Sequence, residues 1–280
     1  MDYAFVTVDY VQGTGGLSFT GSADRTWLLS VVQAVSEDIE QYVNREIHPR
    51  AETRYYDGEA STFLDVPGLI SVGTLKEDSV NDGTYDTTWN GTDYILLPHN
   101  ANPTSANGAP YSQIQVTPFS VGTQDVFLGG IKNYEITGTY GWISAIRDSG
   151  IGASADVGTV ATAFDVNAVA TGTIEVGHTI VIGSEQMFVR DVGTGTSITV
   201  TRAVNGSTAG SHGSGASINY HVYPNAVTNA AFIQSARIFN RRKSSFATEI
   251  GNPQTGEFMT FRGLDQDVKF ELARFRRIAI

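Results

Sequence analysis

Glycine placement constrains this chain more than any other feature: thirty glycines punctuate 280 residues, yet none falls between Gly21 and Gly58. Glycine is costly inside regular elements and readily supplies the positive φ of tight turns. Its frequency therefore predicts a turn-rich β chain, with helix confined to the stretches it avoids. In the long gap Leu28, Val32, Val35, Ile39 and Tyr42 recur at steps of four, three, four and three. That is the apolar stripe of an amphipathic helix. Ser22 or Asp24 offers an N-terminal cap and Pro49 a stop after Ile47, so a first helix is expected over Asp24 to about Glu46.

Elsewhere the patterns are shorter. Residues 1–21 alternate weakly through Phe5, Val6, Val8, Tyr10 and Val11, which suggests an extended arm or edge strand. From Ala51 to Trp142, short alternating runs are separated by turn dipeptides, and Tyr134, Ile136, Gly138, Tyr140 and Trp142 share one face at period two. A small antiparallel sheet is expected here, with Asn90-Gly91 as a hairpin turn between Tyr85–Trp89 and Thr92–Leu97 and Pro98–Pro110 as an exposed loop. Residues 150–222 have a different texture, small and almost free of lysine, and read as a compact β module with strands near 174–182, 186–192 and 197–202. After Pro224, helical spacing returns over Asn225 to about Phe246, then comes a loop over Gly251–Gly263, then a third helix from Leu264 with Val268, Leu272 and Phe275 on its stripe.

The formal net charge of -11 is unevenly distributed. Residues 1–224 hold 9 Lys+Arg against 24 Asp+Glu, whereas residues 225–280 hold 9 against 5, so a basic segment follows an acidic body. Such asymmetry suits contact with an anionic partner, either nucleic acid or the acidic face of another protein copy; the plain alternative is a solvated basic helix face. No apolar run approaches the length of a membrane-spanning helix, and Met1-Asp2-Tyr3 lacks a secretory start, so no membrane association is expected. The absence of cysteine excludes disulfides, thiolate metal sites and a cysteine nucleophile.

No catalytic set emerges. The chain lacks a G-x-S-x-G elbow, a phosphate-binding G-x-x-x-x-G-K-[ST] loop and an H-E-x-x-H helix. His48, His99, His178, His212 and His221 show no ligand spacing. Asp57 with Glu59, or Asp78 with Asp82, are the pairs that could face each other as in a glycosidase, although turn carboxylates are more often solvated. Arg237, Arg241, Arg242 and Lys243 could touch a phosphate backbone through charge alone, without sequence readout. Neither a cofactor, a metal nor an enzymatic activity is expected.

Several segments in order resemble the head-tail connector, or head-completion adaptor, proteins of tailed bacteriophages. They are Ile39–Ile47 with Phe63–Val72, then Ile136–Trp142, then Pro224-x-x-Val227-x-x-Ala230 with Arg241-Arg242-Lys243, and last Leu272–Arg276. In that family the strand runs almost directly into the second helix. Residues 150–222 therefore look like an insertion, and the 3–11 arm is also atypical. The resemblance implies a non-enzymatic virion neck protein, made in the host cytoplasm, that assembles as a ring of identical copies, usually twelvefold, beneath the portal protein. Such a ring closes the filled head, presents a platform to tail or neck proteins and lets genomic DNA pass without sequence specificity.

The expected architecture is accordingly α+β: a small helical bundle with an antiparallel sheet, interrupted by an all-β domain. Its parts are a connector body over 1–149, the inserted module over 150–222 and the rest of the body over 223–280. A ring of one chain needs a heterologous interface, with one surface docking on a different surface of the next copy. The residues expected at the oligomer or portal interface are Arg237, Arg241, Arg242, Lys243, Phe258, Met259, Phe261, Phe275, Arg276 and Arg277. An alternative is a virion-surface or carbohydrate-binding module acting through the β insert.

Overall fold

The computed structural model describes residues 2–19, 21–118, 122–167, 174–193, 196–242 and 263–277, together with the strand backbones at 249–252 and 257–260. Over these residues the protein is α+β and mostly β. Four helices accompany two antiparallel six-stranded sheets and a two-stranded hairpin. The expected helical bundle is thus corrected: the helices are too few and too short to be the framework, as the glycine frequency outside 22–57 already favours turns and strands. Contacts divide the chain into two units, one comprising 1–45, 147–204 and 208–280, the other 46–146 and 205–207.

In the first unit the 22-residue helix α2 (Ser22–Val43) realises the predicted stripe, with Leu28, Val32, Val35 and Ile39 fully buried. It ends at Asn44 in the left-handed region (φ 54), a frequent C-cap conformation. The N-terminal arm departs from the extended reading, because residues 8–14 form helix α1 (Val8–Thr14). Thr7 caps it by accepting the Tyr10 N–H, while Val8 and Val11, three apart, are buried on one side. Ahead of it Tyr3, Ala4, Phe5 and Val6 are also buried, with the Phe5 N–H donating to Ser36 Oγ of α2 at 3.0 Å. The Val8 N–H donates to the Val176 carbonyl at 2.9 Å. The arm thus bonds both to α2 and to the β module, which is why these segments fall in one unit.

The β module forms a sheet of order β7-β12-β9-β10-β11-β8, with β7 at Ile146–Gly152, β8 at Ala163–Asp165, β9 at Thr179–Ile182, β10 at Glu185–Val192, β11 at Ser197–Thr201 and β12 at Ser217–His221. Its core holds Ile180, Met187, Val189, Ile198 and Ile218, all fully buried. The following loop is held by one buried carboxylate. Glu185 accepts Arg202 Nε and Nη2 at 2.6 and 2.7 Å, the Gly210 N–H at 3.0 Å and the Ala203 N–H at 3.2 Å, with His212 Nε2 at 2.7 Å. Arg202 in turn donates to the carbonyls of Gly158, Ala161 and Gly210. Burial alone would raise the Glu185 pKa, but the Arg202, Gly210 and His212 hydrogen bonds outweigh it and bring it down to about 2.

Helix α3 (Asn225–Arg241) packs on α2 through Phe239, whose ring lies 4.9 Å from that of Trp27, and on α4 (Gln266–Leu272) through Gln234, which accepts the Asp265 N–H. A 3-10 turn at 273–275 continues α4. The loop expected over 251–263 contains a hairpin instead, β13 (Glu249–Asn252) with β14 (Glu257–Thr260). Its residues Ile250 and Phe258 are ordinary strand formers.

The second unit is a sheet of order β1-β6-β2-β5-β4, with β1 at Arg50–Gly58, β2 at Phe63–Glu77, β4 at Tyr94–Leu97, β5 at Tyr111–Val116 and β6 at Gly130–Tyr140; β3 (Thr87–Trp89) pairs with the end of β2. The expected face appears in Tyr134, Ile136 and Tyr140, all fully buried. The expected hairpin does not, because β3 and β4 pair with different neighbours, β2 and β5. Asp93 supplies the reason: its buried carboxylate accepts the Asn90 N–H at 2.6 Å and the Thr123 N–H at 2.8 Å, tying the 90–93 turn to a distant loop. Asn205 and Gly206, at φ 55 and 77, also belong to this unit, and the Asn205 carbonyl accepts the Ala51 N–H of β1 at 2.9 Å.

Candidate functional site

The basic residues predicted as an interface divide into two groups. On α3, Arg237 forms an ion pair with Asp265, the residue that caps α4. Arg242 donates to Asp24 of α2 at 2.6 Å, and its guanidinium lies 5.1 Å from the Trp27 ring and 5.2 Å from that of Phe239. This hydrogen bond holds the Asp24 carboxyl below the usual carboxylate range and raises Arg242. Arg241 is half-buried and lines a groove with Asp38, Tyr42, Gln234 and Ile238. Arg237 and Arg242 therefore join helices of one copy. Lys243 and Phe261 lie outside the described residues, while Phe258 and Met259 fall on β14, whose side chains are not described.

Further along, α4 turns Val268 and Leu272 inward, and Phe275 follows them at 2% exposure. The opposite side of the same turn carries Phe270, 82% exposed, with Arg274 one turn later. Arg274, Arg276 and Arg277 are exposed, and among the described residues none of the three has an ion-pair partner. Instead the Arg274 guanidinium lies 4.7 Å from the Phe275 ring and that of Arg276 lies 5.5 Å from Tyr42. The Arg277 N–H donates to the last carbonyl of α2, that of Val43, at 2.8 Å. Burial and the charge of Arg277 together lower the pKa of Arg45. Phe270 was not among the predicted residues, although its place off the Val268, Leu272 and Phe275 stripe is visible in the sequence.

Three of the four carboxylates considered for catalysis accept backbone N–H groups, and the fourth, Glu59, is exposed. Asp78 is buried and accepts the N–H groups of Asp82 and Gly83 at 3.1 and 2.7 Å; Asp82 accepts that of Thr84. Asp57 accepts the Lys132 N–H at 2.7 Å. The bonds of Asp78 and Asp82 are turn-shaping, of the kind short acidic side chains make, whereas that of Asp57 ties two distant segments together. His212 belongs to the Glu185 cluster, and among the described residues no group of three or more His, Cys, Asp or Glu side chains could hold a metal ion.

One cavity, of about 260 Å3, lies in the first unit, lined by Phe5, Arg147, Glu175, His178, Tyr220 and Tyr223 among others. His178 Nδ1 accepts the Glu175 N–H at 3.0 Å and its ring stacks 4.4 Å from Tyr220. That bond assigns the proton of the neutral ring to Nε2. Burial lowers the His178 pKa to about 4, leaving the imidazole neutral near pH 7, and burial raises that of Glu175. Thr7, the cap of α1, donates to the Glu175 carboxylate. The lining thus mixes apolar and polar side chains, the polar ones braced by internal hydrogen bonds.

The second unit bears the complementary charge: 12 Asp+Glu against 4 Lys+Arg, a net charge of -8. The chain consequently presents three exposed C-terminal arginines without ion-pair partners among the described residues, and a strongly anionic unit. No family model matches the chain, and no curated protein matches it.

Proposed function

We propose that this chain is a structural component of a phage virion neck, a connector ring below the portal that closes the head and receives the tail. The observation that carries the reading is that Arg274, Arg276 and Arg277 follow the exposed Phe270, are themselves exposed and have no ion-pair partner among the described residues, on a chain whose other unit has a net charge of -8. A surface that joins arginine to an accessible aromatic ring has the composition of an interface centre. Its opposite charge elsewhere on the same chain suits head-to-tail association of identical copies, the geometry that closes rings. The ordered resemblance of 39–47 with 63–72, of 136–142, of 224–230 with 241–243 and of 272–276 to connector proteins supports the same assignment. Portal, tail and passing DNA are the partners that this role entails.

The test is the mass and shape of the purified chain, alone and with the portal protein, by native mass spectrometry and particle imaging. A closed ring of many copies is expected for the wild type, and predominantly single copies for Arg274→Glu with Arg276→Glu and Arg277→Glu. All three side chains are exposed, so the variant should keep wild-type circular dichroism. Rings that persist unchanged in the triple variant would remove the basic end from the interface. A chain that stays single with portal and in particles would overturn the connector assignment.

A further inference from the structure

One end of the second unit's sheet is an apolar tip in an acidic frame. Three segments converge there, 55–60, 78–86 and 128–133. The Tyr85 hydroxyl donates to the Lys132 carbonyl at 2.5 Å, the Asp78 N–H to the Asn133 carbonyl at 2.8 Å and the Gly58 N–H to Asn133 Oδ1 at 2.8 Å. The approach of the 78–86 and 128–133 segments is close enough that a Cβ on Gly130 would lie 2.4 Å from Asn81 Oδ1. On this scaffold Ile131 is 83% exposed, Val80 67% and Leu128 41%. The Tyr55 ring, 49% exposed, lies tilted 5.6 Å from that of Tyr85. The exposed carboxylates of Asp57, Glu59, Asp82 and Asp86 surround them, against a single exposed cation, Lys132. Scattered apolar residues on a surface are ordinary, but several gathered on one rigid end mark a contact site.

We propose that this tip docks onto the Phe270 and Arg274 surface of a second copy of the chain. The inference rests on the ring reading above and names the face that the basic end meets. Charge complementarity selects the occupant: an apolar centre framed by four carboxylates matches an exposed phenyl ring with Arg274 one turn on and the exposed Arg276 and Arg277 after it, three arginines without ion-pair partners among the described residues. The two surfaces differ, so the contact is heterologous and repeats from copy to copy. Ile131 and Phe270 are both largely exposed, so neither carries weight in the core.

The chain has no cysteine, which makes site-specific cross-linking direct. Ile131→Cys and Phe270→Cys are prepared as separate full-length chains, one isotope-labelled, mixed in equal amounts and treated with a short bismaleimide, which avoids the strict geometry of a disulfide. The expected product is the mixed 131–270 dimer in clear excess over the two homodimers together, with that excess lost when the Phe270→Cys chain also carries Arg274→Glu and Arg277→Glu. A mixed dimer no more abundant than the homodimers combined would overturn the proposal. The wild-type mass measured in parallel separates the two failures. Rings without the mixed product reject only the tip as partner, whereas single copies at every concentration reject the ring itself.

Discussion

At the scale of single residues, Glu185 shows how one buried charge can organise a loop too rich in glycine to organise itself. Its carboxylate is satisfied by Arg202, His212 and two backbone N–H groups, which connect the start of β10 to the 203–212 segment. The folded pKa of about 2 lies below the ordinary 4.5. A depressed carboxylate stabilises the fold above its unfolded pKa, and this contribution disappears as the pH falls from about 4.5 to about 2. Hydrogen exchange read by mass spectrometry should show protection of β10 and β11 decreasing over that window. Glu185→Gln should lower protection already at neutral pH, by about 3 kcal/mol, because Arg202 is left buried without its counter-charge. The variant should then respond less to acid over the same window. Equal protection in both proteins would count against this role.

At the scale of elements, α2 and α3 are held by an aromatic contact that the helical stripes alone do not specify. Phe239 is 5% exposed and packs within 5.0 Å of the Phe19 ring and 4.9 Å of the Trp27 ring, with Arg242 above it. Phe239→Ala should destabilise this helical pair by about 3–4 kcal/mol, the usual cost of removing a buried aromatic side chain. Its expected signature is faster amide exchange in α2 and α3, with exchange in β2, β5 and β6 of the second unit unchanged. Elements were legible in the sequence where one periodicity ran long enough, as in α2 and α3. The short helix α1 was not, since Val8 and Val11 fit both a strand and a single helical turn, and only the Thr7 cap and the Val176 contact choose between them. The 90–93 turn departs from the expected hairpin for the same reason: Asn-Gly specifies a reversal, while Asp93 and Thr123 decide which strands it connects.

At the scale of the molecule, cationic and anionic surfaces on one chain make association sensitive to ionic strength. If the tip and the basic end meet, raising salt from about 0.05 M to about 1 M contracts the screening length from more than 10 Å to about 3 Å. Rings should therefore lose subunits by sedimentation at high salt. Retention of the full ring at about 1 M would assign most of the contact to the apolar residues Ile131, Val80 and Phe270. The candidate surface was partly legible from the charge count, which located the basic segment. It was not legible which arginines are available, because Arg237 and Arg242 are neutralised by Asp265 and Asp24, residues that lie 28 and 218 positions away in the chain.

The order of amino acids by itself determined the mixed α+β class, the helical span after Gly21, the buried face of β6 and the basic end of an acidic chain. These are consequences of spacing and composition over neighbouring residues. Only the tertiary structure decided that the N-terminal arm bonds to the β module, that β3 and β4 part company, and that Phe270 with the last arginines stays exposed while Phe275 is buried. Such outcomes depend on which distant groups meet and satisfy one another's hydrogen bonds and charges, and local periodicity carries no information about that pairing.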